Sequence, residues 1–174
     1  MAGSDERRVV SIVTAANGGI AILIIGLLAW LVDLPLLFPA LGPSAFILFF
    51  SPFSPAAAPR SVILGHFAAI TAGFTVWHLV SLAWGEPVFL ERTGLPVFVS
   101  ASAALAVTCV LLARLSCPHA PACATALILA LGAASDWTAL LGMATGVLLL
   151  TAQAVLMHRV ANVNIPTWTP RSED

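Results

Sequence analysis

Two apolar stretches of this chain are broken by proline, and they restrict its fold more than any other feature. Pro35, Pro39 and Pro43 interrupt residues 34–50, and Pro118 and Pro121 open a run that continues to residue 133. Proline removes a backbone donor and clashes with the preceding turn. The first stretch therefore predicts an irregular segment and then a half-length helix beginning near Pro43, over residues 44–50. The second predicts irregular backbone through His119 and a half-helix from Pro121, apolar over residues 122–133. At about 1.5 Å per residue, such helices cover only half a bilayer.

Around these lie four long apolar stretches, residues 9–32, 61–84, 97–113 and 137–157. Each falls within the roughly 17–25 residues that a crossing needs. Of the 174 residues, 60% are hydrophobic and 9% charged, against about 25% charged in a soluble domain. The expected class is an all-α transmembrane bundle of six segments lying in a lipid bilayer, two of them discontinuous half-helices. The first stretch exceeds a signal-peptide core and reads as a retained anchor. The net charge of −1 gives no footprint for nucleic acid. Three cysteines, Cys109, Cys117 and Cys123, an odd number lying in or beside apolar segments, do not read as a disulfide framework. Asn17-Gly18-Gly19 interrupts the first stretch and offers a kink or a close-approach surface.

The order long, broken, long occurs twice, in residues 9–84 and 97–157. Residues 1–8 form a polar start and residues 161–174 a polar, loosely ordered tail. If all six segments cross with the N-terminus inside, Arg7, Arg8, Arg60, Arg114, Arg159 and Arg171 share the cytoplasmic side. The outer side keeps Arg92, with Asp33, Glu86, Glu91 and Asp136. That is a positive-inside pattern for a bacterial plasma membrane, with both termini cytoplasmic. Re-entrant broken segments would weaken it. Trp30, Trp84 and Trp137 then fall together at the outer interface. Three crossings per half invert the second half relative to the first, a transporter layout.

In this arrangement both half-helix N-termini point to the middle of the membrane. A helix N-terminus carries about half a positive charge and unpaired N–H donors, so two together make an anion site. The expected substrate-binding residues are Gly42, Pro43 and Ser44 in the first segment, and His119, Pro121, Ala122 and Thr125 in the second. Ser44 and Thr125 offer hydroxyls and His119 a ring N–H or a proton. Asn17, Arg60 and His66 are candidates for gating or a pathway, with structural roles as the competing reading. His78 reads as an interhelical hydrogen-bonding group.

Cys117, His119 and Cys123 match no standard zinc spacing, so no metal or cofactor is expected. No carboxylate lies within an apolar segment and no hydrolase motif appears, so the chain reads as a non-enzyme. Two packing faces stand out, Gly65/Ala69/Gly73 and Gly142/Gly146. They support an alternative in which the chain is a non-transporting scaffold or assembly protein. A bundle this small also admits a homodimer or a homotrimer.

His119-Ala120-Pro121-Ala122-Cys123-Ala124-Thr125-Ala126-Leu127 resembles the signature of the HPP family of integral membrane proteins. That family opens a helix with His-Pro-Pro, then small residues, Ala-Thr-Ala and Leu. Gly42, Ser44-Ala45, Ser54-Pro55, Pro59-Arg60 and Gly65-His66 resemble its first half, and the similarity covers residues 30–160. Ala120 stands where the family has its middle proline, and Cys123 where it has glycine. Some plastid and cyanobacterial members are implicated in nitrite transport. The resemblance thus implies a small monovalent anion such as nitrite.

Overall fold

The computed structural model describes residues 2–85, 94–134, 136–166 and 168–169, without the side chains of residues 2–10. Glu86, Glu91, Arg92, Ser135, Arg171 and the side chains of Arg7 and Arg8 lie outside that description. Among the described residues there are six α-helices and no strand: α1 (Ala2–Val32), α2 (Leu41–Phe50), α3 (Pro59–Trp84), α4 (Leu95–Arg114), α5 (Pro121–Ala130) and α6 (Trp137–Val160). A single 3-10 turn, Pro55–Ala57, precedes α3.

Four helices, α1, α3, α4 and α6, are long and apolar enough to cross a membrane, and α2 and α5 are the two short ones. Their outward faces are apolar: Leu23, Leu31, Phe46, Leu82, Leu141 and Leu156 are all exposed. A water-soluble monomer does not expose so much contiguous apolar surface. The chain is an integral membrane protein.

Proline positions set the starts of the half-helices. In α2, Pro43 falls in the first turn, where a missing N–H costs nothing, so the helix begins at Leu41, two residues before Pro43. Pro121 is the first residue of α5. This helix ends at Ala130 rather than at residue 133, because Gly132 takes φ 73° and the Ala133 N–H turns back to Ile128 O at 3.1 Å. Asp136 caps α6 by accepting from the Ala139 N–H at 2.7 Å.

The first long helix departs from expectation. It continues unbroken through Asn17-Gly18-Gly19, where a Cβ on Gly18 would make only ordinary contact with Phe49 and one on Gly19 would meet open space. Glycine costs a helix only about 1 kcal/mol, which a long apolar helix tolerates. The start of the tail is also not loose. Ile165 is buried, and the Arg60 N–H bonds to Trp168 O at 3.0 Å, so the chain folds back onto α3.

Both broken segments run the length of the bundle. Pro35 and Leu36 lie against Gly142 and Gly146 near the start of α6. At the other end of α2, His158 Nε2 donates to Leu48 O at 2.9 Å, and Thr14 Oγ1 to Phe49 O at 3.3 Å. Gly142 and His158 are 16 residues apart on α6, about 24 Å. In the second segment, Ser116 lies near Arg60 at the start of α3, while Ala130 O accepts from Ser100 near the start of the antiparallel α4 at 2.7 Å.

The small-residue faces serve this packing. A Cβ on Gly73 would meet Ala126 O at 2.6 Å, and one on Gly65 would meet His119 Cβ at 3.3 Å. Only glycine lets α3 and the α5 segment approach this closely. Gly142 and Gly146 likewise seat the Pro35 and Leu36 carbonyls. Irregular backbone is thereby packed on protein rather than on lipid.

Candidate functional site

The starts of α2 and α5 meet at four polar side chains: Ser44 on α2, His66 on α3, His119 just before α5 and Thr125 on α5. All four have no exposed surface. Ser44 Oγ lies 2.9 Å from His66 Nε2 and 3.0 Å from His119 Nε2. The two Nε2 atoms are 3.2 Å apart. His66 Nδ1 lies 2.8 Å from Thr125 Oγ1. His119 Nδ1 donates to Ala56 O, in the 3-10 turn, at 2.8 Å. Ser44 Oγ also reaches Ala40 O, at 2.9 Å. Buried polar groups must find partners, and here they find one another.

Local sequence explains each position. His66 follows Gly65, where a Cβ would come within 3.6 Å of both His119 Cβ and Ala122 Cβ. Phe38, from the irregular segment before α2, packs edge-on against the His66 ring with centroids 6.1 Å apart. His66 is seven residues beyond Pro59, about 10 Å along α3. The cluster therefore lies nearer the end of the bundle that carries Arg60 than the end that carries Trp84.

The helix N-termini do not offer the expected row of free donors. The N–H groups of Leu41, Gly42 and Ser44 bond to Phe38 O, Pro39 O and Ala40 O, and those of Ala122 and Cys123 bond to His119 O and Ala120 O. Pro43 and Pro121 have none to give. What the half-helices present is side chains and dipoles.

The remaining sequence candidates divide. Pro121 and Ala122 are buried beside the cluster. Gly42 and Pro43 sit on the exposed side of α2, and Gly42 borders a cavity of about 350 Å³ against Thr14, Gly18 and Gly19 of α1. Asn17 lines a cavity of about 550 Å³ with Phe49, Phe53 and His158. Arg60 stays outside the cluster, its Nη1 3.5 Å from Ser116 O and 3.6 Å from Cys117 Sγ. His78 is exposed and stacks on Phe74. Among the described residues no three His, Cys, Asp or Glu side chains gather as a ligand set, so Cys117, His119 and Cys123 stand apart.

His66 is the member that sequence reading placed on the pathway rather than in the site. His158, buried and bound to the end of α2, was not singled out at all.

This fold and this cluster define a polytopic helical membrane protein with a polar centre where two half-helices begin. The family model of the HPP transmembrane region matches residues 4–166, and the chain belongs to the HPP family. Searches of curated proteins and of solved structures find no match.

Proposed function

We propose that the protein is a transporter or channel for a small monovalent anion such as nitrite, bound where the α2 and α5 N-termini meet. One observation carries this reading: side chains from three helices and a turn converge, fully buried, on the starts of two half-helices. In bilayer proteins such broken helices and buried ionisable groups mark solute pathways. The anion would be held by Ser44, His119, Thr125 and His66, with Asn17 and Arg60 nearer the entrance. No carboxylate lies in the cluster to act as base or nucleophile, and transport rather than catalysis fits its chemistry.

On this reading the two triplets, α1–α3 and α4–α6, are inverted relatives. Both termini face the cytoplasm of a bacterium, and the chain works as a monomer or a small homo-oligomer, dimer or trimer. The scaffold alternative draws less support. Its two glycine faces are already filled by α5 and by the Pro35–Leu36 backbone of the same chain.

The test is reconstitution. Purified protein in liposomes should give nitrite uptake above protein-free vesicles, and His119→Gln should abolish most of it. Correctly folded protein that moves no small anion would sink the proposal.

A further inference from the structure

We infer that the His66–His119 pair holds one exchangeable proton, and that each anion crosses together with that proton. This rests on the transport reading and names its coupling ion.

The hydrogen atoms of the cluster can be assigned from its acceptors. Ala56 O only accepts, so His119 Nδ1 carries a hydrogen and, in the neutral ring, Nε2 is bare. His119 Nε2 faces Ser44 Oγ at 3.0 Å and His66 Nε2 at 3.2 Å. Ser44 has a single hydrogen, and Ala40 O at 2.9 Å competes for it. If His66 kept its hydrogen on Nδ1, two bare nitrogens would meet. The neutral arrangement that satisfies all atoms puts it on His66 Nε2, aimed at His119 Nε2, while Thr125 donates to His66 Nδ1.

Both hydroxyls can reverse. With one proton added, His66 donates from both nitrogens, Nδ1 to Thr125 Oγ1 and Nε2 to His119. Alternatively the proton sits on His119 Nε2 and points at Ser44 Oγ. In that second form His66 carries its own hydrogen on Nδ1 and donates it to Thr125 Oγ1, so the two Nε2 atoms do not point hydrogens at each other. A second proton would place two buried cations side by side, with nitrogens 3.2 Å apart, and repulsion opposes it. The cluster thus takes one proton and no more.

The anion needs that charge. The first-turn N–H groups of both half-helices are already bonded, and Arg60 is turned to Ser116 and Cys117. Among the elements around the pair, α2 contributes Ser44, the irregular segment the Phe38 ring and the 3-10 turn the Ala56 carbonyl. The other titratable groups on these elements and on α4 and α6, which pack against α3, are Arg60 and His78 on α3, Cys109 and Arg114 on α4, Cys117 before α5, Cys123 on α5, and His158 and Arg159 on α6. None of the acidic side chains described belongs to them. The step balances simply. The neutral pair takes a proton and an anion on one side, and releases both on the other with no net charge moved.

Proteoliposomes with a trapped pH dye and an imposed potassium diffusion potential test this, using nitrite and nitrate with protein-free vesicles subtracted. One proton should enter per anion. The flux should ignore voltage and rise in proportion to external proton concentration until it saturates. Thr125→Val should move that rise to lower pH, and Thr125→Ser should restore the wild-type profile. Anion flux without proton entry, or flux that follows voltage, overturns the coupling and leaves the transport reading standing. Absence of any anion flux overturns both. A stoichiometric metal ion in the purified protein would also overturn it, since that cation would fill the gap between the two nitrogens.

Discussion

Thr125 bonds to His66 through a fully buried hydroxyl. Thr125→Val keeps the shape and removes the partner of a buried ring nitrogen, which costs about 1–3 kcal/mol. Thermal unfolding in detergent should register this as a lower midpoint; an unchanged midpoint would mean the bond contributes nothing to folding. Ala120 allows the opposite experiment. Its φ of −52° lies within the range that a proline ring imposes. Ala120→Pro, which restores the family's signature, should stabilise by about 0.4–1 kcal/mol through the unfolded chain. A loss of stability would show that the turn before α5 relies on the freedom alanine gives it.

The half-helices were legible because proline leaves few choices: Pro43 and Pro121 both fall in the first turn of a short helix. Helix ends were less so. Gly132 stops α5 by a left-handed turn, and an apolar run hides such a turn among its neighbours. His119 could be named from its prolines, and Ser44 from its place after Pro43. The partnership with His66 could not, because it crosses 53 residues and depends on how closely Gly65 lets the helices approach. The free N–H donors expected from helix physics were absent for a local reason, the tight turns that precede both helices.

The glycine positions give this scale a paired test. Gly73→Ala would push a methyl group into the α5 backbone at Ala126, where relief requires α3 and α5 to separate, costing about 1–3 kcal/mol. Gly19→Ala faces open space in α1 and should gain up to about 1 kcal/mol in helix propensity. Chemical unfolding of the two variants in one detergent should move in opposite directions. Equal effects would contradict the helix contacts described above.

For the whole molecule, antiparallel traverses put Trp30, Trp84 and Trp137 at one end and Arg60, Arg114 and Arg159 at the other. The proposed sidedness predicts how an impermeant maleimide behaves in intact cells. In a background without Cys109, Cys117 and Cys123, Leu95→Cys should label from outside. Phe53→Cys should label only after the cells are opened. Both positions are well exposed, at 65% and 60%. The reverse pattern would invert the topology, and equal labelling would reject it.

The backbone bond from Arg60 to Trp168 ties the chain beyond α6 to the first turn of α3. Four residues before Arg60 lies Ala56, whose carbonyl holds the His119 ring. A pull on the C-terminal segment would therefore load a short lever whose far arm ends at that ring. Any domain or partner fastened beyond Trp168 would hold the handle of the site without entering the membrane.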